Sequence, residues 1–342
     1  MNSLHRIIKA VFVLGTIAIL ASGCTKPQHS LTAAGATFPY PVYAQWFEAY
    51  HRETGVKINY QPMGSGAGVE QLRRRTTDFG ASDVAVQDDI LQSMPRQIIQ
   101  LPAVAGAVVI AYQLPGLQKP LQLDGPVLAD IFLGKVQRWN DTRIAGLNPG
   151  VTLPDLAISP VRRSDGSGTT GIFTSYLAAV SPQWKQQVGV GKSVAWPVGI
   201  GAKGNSGVAG VIKQSPGALG YIELAYAEHN HLQFAALRNS AGNFVLPSVT
   251  ATTAAAAGAV DRLQKDIRAS IVNASGEQSY PIAAFTYLLV YANLENAQKA
   301  NELKGFLQWA MSDGQHMAEK LYYAPLPPQV VVLNKKVIQK IQ

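Results

Sequence analysis

Six consecutive apolar residues, Ala107 to Tyr112, restrict the fold more than any other segment. A strand with no polar position is covered on both faces, and such strands lie in sheets with helices packed on each side. Other segments fit that plan. Val56-Lys57-Ile58-Asn59-Tyr60 alternates with period two. Leu156-Ala157-Ile158-Ser159 and Phe285 to Val290 are further short strand candidates. Helical patterns lie between them at Pro41–Arg52, Thr170–Val180 and Ala297–Leu321, and the Ala/Thr-rich stretch Thr250–Val260 fits a surface helix. This alternation predicts an α/β chain with largely parallel sheets. No repeat at solenoid or propeller spacing occurs.

The first residues have the pattern of a leader. Arg6 and Lys9 precede an apolar run from Ala10 to Ala21 broken by Gly15 and Thr16. Twelve helical residues rise only about 18 Å, less than a bilayer span requires. Residues 1–23 are therefore expected to be a secretory signal. The run ends Leu20-Ala21-Ser22-Gly23-Cys24, and Cys24 is the single cysteine of the chain. Small residues before a lone cysteine resemble a bacterial lipobox, with Cys24 lipidated as the mature N-terminus. Ala21 stands three before it, where leucine is usual; ordinary cleavage leaving a free thiol is the alternative. Residues 24–30 read as a short tether. One cysteine also excludes a disulfide framework and cysteine-built metal sites. The remaining length suggests about two domains. The chain carries 29 basic against 21 acidic residues, a formal charge of +8. Its longest basic run is Arg73-Arg74-Arg75, so the excess is diffuse and no nucleic-acid footprint is expected.

Three small-residue loops carry the functional argument. Ala34-Gly35-Ala36-Thr37-Phe38-Pro39 precedes the helix that contains Tyr43 and Trp46. Met63-Gly64-Ser65-Gly66-Ala67-Gly68 follows the strand at 56–60. Arg162-Arg163-Ser164-Asp165-Gly166-Ser167-Gly168-Thr169 precedes Ile172-Phe173. A helix start exposes unpaired N–H donors and about half a positive charge. Glycine admits an anion close to the backbone, and Ser or Thr adds a donor. One such loop is an ordinary helix cap; three of them, one with adjacent arginines, point to an oxyanion site.

Rival chemistries fit less well. Gly191-Lys192-Ser193 lacks the first glycine of a nucleotide P-loop, since Gln186 stands there. Neither Ser65 nor Ser167 lies in a Gly-x-Ser-x-Gly elbow. His229 and His231 have no third metal ligand implied nearby. Arg73 to Arg75 fit a solvated helix face.

Several longer motifs then occur in a recognisable order: Gly35-Ala36-Thr37-Phe38-Pro39, Gly64-Ser65-Gly66, Thr77-Asp78-Phe79-Gly80-Ala81-Ser82-Asp83 and Arg163-Ser164-Asp165-Gly166-Ser167-Gly168-Thr169. Gly207-Val208-Ala209-Gly210, Pro216 to Glu223 and Tyr323-Ala324-Pro325-Leu326-Pro327 follow. With them the chain resembles the substrate-binding subunit of the high-affinity bacterial phosphate ABC importer. The resemblance implies an α/β, two-lobed periplasmic-binding-protein-like fold of type II, closing by a hinge on one phosphate in the interlobe cleft. One lobe would comprise 31–112 with 285–342 and the other 113–284, with Ala107–Tyr112 and the strand near Phe285 as the hinge.

Residue by residue, it implies that Thr37, Phe38 and Ser65 donate from the first lobe and that Asp83 accepts the proton of the phosphate. Arg163 would form a charged fork oriented by Asp165, while Ser167, Gly168 and Thr169 donate from the second lobe. Asp83 as a helix cap and Asp165 as a turn residue stay open. Three helix termini and Arg163 bring roughly +2.5, which two carboxylates reduce to about +0.5, so geometry rather than net charge must select the ligand. The resemblance further implies a monomer with no catalytic activity, cofactor or metal. It would sit in the periplasm or cell envelope, lipid-anchored through Cys24, with inorganic phosphate, the membrane and the importer's permease subunits as partners. An extracytoplasmic phosphatase, a binder of another tetrahedral oxyanion and a surface adhesin are the alternatives.

Overall fold

The computed structural model describes residues 30–117 and 119–342. The expected leader at 1–23, Cys24 and tether positions 25–29 lie outside the described residues, and Ser30 is already the first residue of a strand.

The main sheet has two parallel flanks joined by an antiparallel centre. On one flank Ser30–Gly35 lies between Lys57–Pro62 and Phe79–Ser82, all parallel. On the other, Ser159–Arg163 lies between Ile200–Ala202 and Ala218–Glu223, again parallel. The centre consists of Ile98–Tyr112 and Ala283–Tyr291. Ala283–Tyr291 runs antiparallel to Phe79–Ser82 on one side and to Ile98–Ala107 on the other. Beyond Ala107 the 15-residue strand changes partner, and Val108–Tyr112 pairs antiparallel with Leu219–Glu223. The chain is α/β as expected, but the sheet is mixed. The apolar run at 107–112 marks a central strand, and centrality buries both faces whatever the direction of its neighbours.

Two aromatic groups fill the core on either side of that centre. In the Tyr40–Thr54 helix, Tyr43, Trp46, Phe47 and Tyr50 are buried on one face. Phe47 lies 5.7 Å from Tyr60 and 5.4 Å from Phe306 between ring centroids. On the far flank Phe173 stacks on Tyr221 at 4.3 Å, with Phe132 and Trp196 against them. Aromatic pairs of this kind add about 0.5–1.5 kcal/mol each beyond their burial.

Local expectations are met unevenly. The strand expected at 156–159 begins only at Ser159, because Ala157 makes a single bridge to Arg138 and the ladder forms downstream of Ile158. The helix expected over 297–321 stops at Ala310 and restarts at Asp313. The break lets the Gly314 carbonyl accept the Trp46 indole N–H at 2.9 Å. The stretch expected as a surface helix forms Val249–Ala257 and buries Ala251, Thr252, Ala255 and Ala256.

Glycine sets the closest approach on the first flank. Gly35 has φ +149°, and a Cβ there would lie 2.2 Å from the Ala81 carbonyl oxygen. Gly35→Ala is therefore expected to cost roughly 2–4 kcal/mol. Gly210, inside the Gly204–Gln214 helix with nothing within 4 Å of a Cβ, should gain about 0.5–1 kcal/mol on replacement by Ala. Urea unfolding of both variants checks the opposite signs.

Candidate functional site

Four helix N-termini meet where the two flanks face each other. The Tyr40–Thr54, Ser65–Arg73 and Gly204–Gln214 helices start without a side-chain cap. Only Gly168–Val180 is capped, by Ser167 Oγ accepting from Thr170 N. An uncapped start leaves its N–H donors and its partial positive charge to partners from elsewhere in the fold; Gly204 N and Asn205 N find theirs in Asp165 Oδ1 and Thr37 Oγ1. The glycine-rich stretches form the first turns of these helices as well as the loops before them: Ser65 and Gly168 are themselves helical.

The first flank contributes Thr37, Phe38, Ser65 and Asp83, all buried. Phe38 packs its ring edge-on against Tyr323, so only its backbone faces the site. Neither Thr37 N–H nor Phe38 N–H donates to a protein acceptor among the described residues. Asp83 Oδ1 accepts from Thr286 Oγ1 at 3.2 Å, beside a register shift between Thr286 and Tyr287. Such bulges re-aim side chains next to sites. Asp83 Oδ2 accepts from Ser65 Oγ at 3.3 Å.

The second flank supplies Arg163 and the Ser167–Thr169 turn. Arg163 is buried; its Nε donates to Asp165 Oδ1 at 2.7 Å and its Nη2 to Asp165 Oδ2. That bidentate pair fixes the guanidinium plane and leaves Nη1 to reach Thr169 Oγ1 at 3.1 Å. Gly204 N also donates to Asp165 Oδ1, at 3.1 Å. The turns touch across the gap: Gly66 N donates to Gly166 O at 2.8 Å, and Gly168 N to Ser65 Oγ at 3.1 Å. A Cβ on Gly168 would stand 2.3 Å from Ser65 Oγ and 2.6 Å from Asp83 Cβ, so the approach requires glycine there.

All nine positions singled out in the sequence thus gather in one buried region, and Ser167 enters it as a helix cap. The sequence reading missed Asn205. Its buried amide donates to Thr37 Oγ1 at 2.9 Å and to Thr169 Oγ1 at 3.2 Å, while its Oδ1 accepts from Glu223 N. Each threonine oxygen is thereby used as an acceptor and keeps its own proton for a further partner. The available signal was Gly204-Asn205-Ser206-Gly207, a fourth small-residue helix start just before the Gly207–Gly210 motif. Arg73 and Arg74 pair with Glu70 on the surface, and Arg75 with Glu295, away from this region.

The carboxyls divide by environment. Burial raises Asp83 to about 7, opposed by the Arg163 charge and the hydrogen bonds from Thr286 and Ser65. Asp165 is desolvated too, yet the bonds and charge of Arg163 and the Gly204 N–H hold it below the usual carboxylate range. Burial lifts Glu223 well above that range. The region therefore holds one ion pair, Arg163 with Asp165, and two carboxyls, Glu223 and Asp83, whose protonated form burial favours.

Residues 21–314 match the model of the PBP superfamily domain. The chain is 44% identical to phosphate-binding protein PstS of Pasteurella multocida (strain Pm70), over 95% of this chain and 93% of that one. It is 45% identical to phosphate-binding protein PstS of Xylella fastidiosa (strain 9a5c), over 88% of this chain and 82% of that one. The subatomic-resolution structure of PfluDING, a high-affinity periplasmic phosphate-binding protein bound with phosphate, superposes with a TM-score of 0.72 at 21% identity. That match covers 90% of this chain and 93% of the other. The phosphate-binding protein from Stenotrophomonas maltophilia superposes with a TM-score of 0.69 at 19% identity, over the same shares of the two chains. At these identities the superpositions speak for the fold, which is the two-lobed periplasmic-binding-protein architecture.

Asp83 sets a sign for stability. The folded chain holds its proton up to about pH 7, whereas an unfolded aspartate releases it near 3.9. Stability is thus lost as pH rises from about 4 to about 7. Asp83→Asn cannot ionise. Its unfolding free energy should match wild type near pH 4 and exceed it by on the order of 2–4 kcal/mol at pH 8. Denaturant titrations at the two pH values check this.

Proposed function

We propose a function for this chain from the premise that it belongs to the phosphate-binding protein family of the PBP superfamily: it binds inorganic phosphate outside the cytoplasmic membrane and delivers it to the membrane subunits of a phosphate ABC importer. It acts as a monomeric carrier and not as an enzyme. One observation carries the reading: uncapped helix starts and Arg163 converge on threonine hydroxyls that Asn205 holds as acceptors. The N–H groups of Thr37 and Phe38, the hydroxyls of Thr37 and Thr169, and Arg163 Nη1 donate to the anion, and Ser65 joins them by turning its one proton from Asp83 to the ligand. Gly168 and Ser167 shape the turn that closes on it. The lobes are 31–112 with 285–342, and 113–284; they hinge on the two strands they share.

Selectivity comes from the proton count at Asp83. An ionised Asp83 needs a ligand that carries a proton, which phosphate does and sulfate does not. In a buried site an unmatched charge costs far more than a missing contact. As pH falls below about 7 Asp83 gains a proton, and a protonated carboxyl can donate to sulfate. Calorimetry on the mature chain stripped of ligand should show one phosphate bound per chain and no release of phosphate from a monoester. Sulfate should compete weakly at pH 8.5 and better at pH 5.5. Arg163→Ala should lose roughly 1.5–3 kcal/mol of binding or more. Arg162→Ala, whose side chain turns instead towards the Ile200–Ala202 edge strand, should bind almost as wild type. Equal losses at the two arginines, or equal affinity for sulfate at pH 8.5, contradict this reading.

Lipidation of Cys24 would hold the carrier at the envelope. The residue lies six positions before the first described strand, and no proposed ligand contact precedes Thr37. Cys24→Ser is expected to move the protein out of the membrane fraction, or leave its leader uncleaved, with phosphate binding intact. Wild-type protein found wholly in the soluble fraction of an envelope extract rules the anchor out.

A further inference from the structure

Three successive carbonyls in the first anion loop are each held by a tyrosine hydroxyl. Tyr60 donates to Ala36 O at 2.7 Å, Tyr226 to Thr37 O at 2.6 Å and Tyr323 to Phe38 O at 2.6 Å. The three tyrosines come from separate parts of the chain: the Lys57–Pro62 strand, the Leu224–His229 helix and the segment after the last turn of 3-10 helix. None of them was singled out for the ligand.

A trans peptide points its N–H opposite its C=O. Holding the Ala36 and Thr37 carbonyls therefore aims the N–H groups of Thr37 and Phe38 the other way. The loop closes one turn of its own, Tyr40 N to Thr37 O at 3.2 Å, and otherwise needs such restraint. It follows Gly35, whose φ of +149° is open to few residues, and it ends at Pro39, which gives the next helix no side-chain cap. If either peptide flipped, a carbonyl oxygen would face the anion in place of a donor.

We propose that Tyr60, Tyr226 and Tyr323 are positioning residues for the phosphate-binding loop, and that Tyr226 completes the loop only when the two halves of the sheet come together. This rests on the phosphate reading given above. Tyr60 and Tyr323 belong to the same flank as the loop. Tyr226 follows directly on Ala218–Glu223 of the opposite flank, so its bond is made on closure and broken on opening. The Tyr323 hydroxyl also lies 2.9 Å from Glu223 Oε2 of that side, a second acceptor for the one proton it shares with Phe38 O, and Glu223 Oε2 accepts from Ala225 N. Burial keeps the Tyr226 and Tyr323 hydroxyls protonated, so they remain donors across the physiological range. Phosphate and Tyr226 then stabilise the same peptide orientation from its two ends, and this couples ligand retention to closure.

Tyr226→Phe removes one oxygen and keeps the ring. Stopped-flow and calorimetry should show phosphate bound about 3- to 10-fold more weakly. The loss should lie in a faster release rate, with the association rate within about twofold of wild type. The unfolding midpoint of the ligand-free variant should stay at the wild-type value, a result that a purely structural role would not give. Tyr60→Phe, within one flank, should weaken binding and lower that midpoint together. A wild-type release rate in Tyr226→Phe, in a chain that binds phosphate and loses it with Arg163→Ala, overturns this proposal alone. So does a lowered midpoint with unchanged release. A wild-type chain that binds no phosphate overturns the functional reading and this proposal with it.

Discussion

The site depends on a solvation constraint: backbone N–H groups at uncapped helix starts are buried and must be given a partner. Capping carboxylates would satisfy them, yet the first turns of the Tyr40–Thr54, Ser65–Arg73 and Gly204–Gln214 helices contain no acidic residue. Some of these donors are met within the protein, Gly66 N by Gly166 O, Gly204 N by Asp165 Oδ1 and Asn205 N by Thr37 Oγ1, while the N–H groups of Thr37 and Phe38 have no protein acceptor among the described residues. Glycines let the turns touch through backbone alone, as Gly66 and Gly166 do. The Thr37 and Thr169 hydroxyls are engaged as acceptors. The one guanidinium is neutralised on two of its faces by Asp165. What remains is an array of neutral donors whose directions are fixed before any ligand arrives, and pre-organisation of that kind lowers the cost of binding.

The same constraint explains why the buried acids differ. Asp165 meets its charge partner within the motif, two residues from Arg163, and stays ionised. Asp83 has only hydroxyls and a distant positive charge to offset its burial. Glu223 has a tyrosine and a backbone N–H. A chain selected only for stability would place apolar or amide side chains at the last two positions. Keeping a buried carboxyl whose titration is raised to about 7 makes sense where, as proposed, a proton is part of what is recognised.

Much of this was legible in the sequence because it is local. Spacing alone places Arg163, Asp165 and Gly168 within one turn of chain, and a helix start can be read from a few small residues. The strand at 107–112 was legible from its apolar run; its extension back to Ile98 was not. Gln100 and Pro102 interrupt the pattern, and the register shift opposite them, which accommodates the proline, depends on a partner strand some 180 residues away. Asn205 and the three tyrosines were missed for the same reason. Their roles are defined by acceptors 24 to 285 residues distant, and a single sequence carries no trace of such pairings. The break in the helix at 311–312 was likewise set by Trp46 on another helix.

The central strand pair has a consequence for how the chain comes to be folded. The first flank is left at Tyr112 and cannot be finished until Ala283–Tyr291 returns to fill the place between Phe79–Ser82 and Ile98–Ala107. Its aromatic core also waits for Phe306, and its first loop for Tyr323. A chain that emerges from its N-terminus therefore carries an incomplete sheet with open edges for most of its length, and long-range pairings of this kind form slowly. If the leader expected at 1–23 directs export, postponing the closing strand to the last fifth of the sequence delays compaction by topology alone until the chain has crossed.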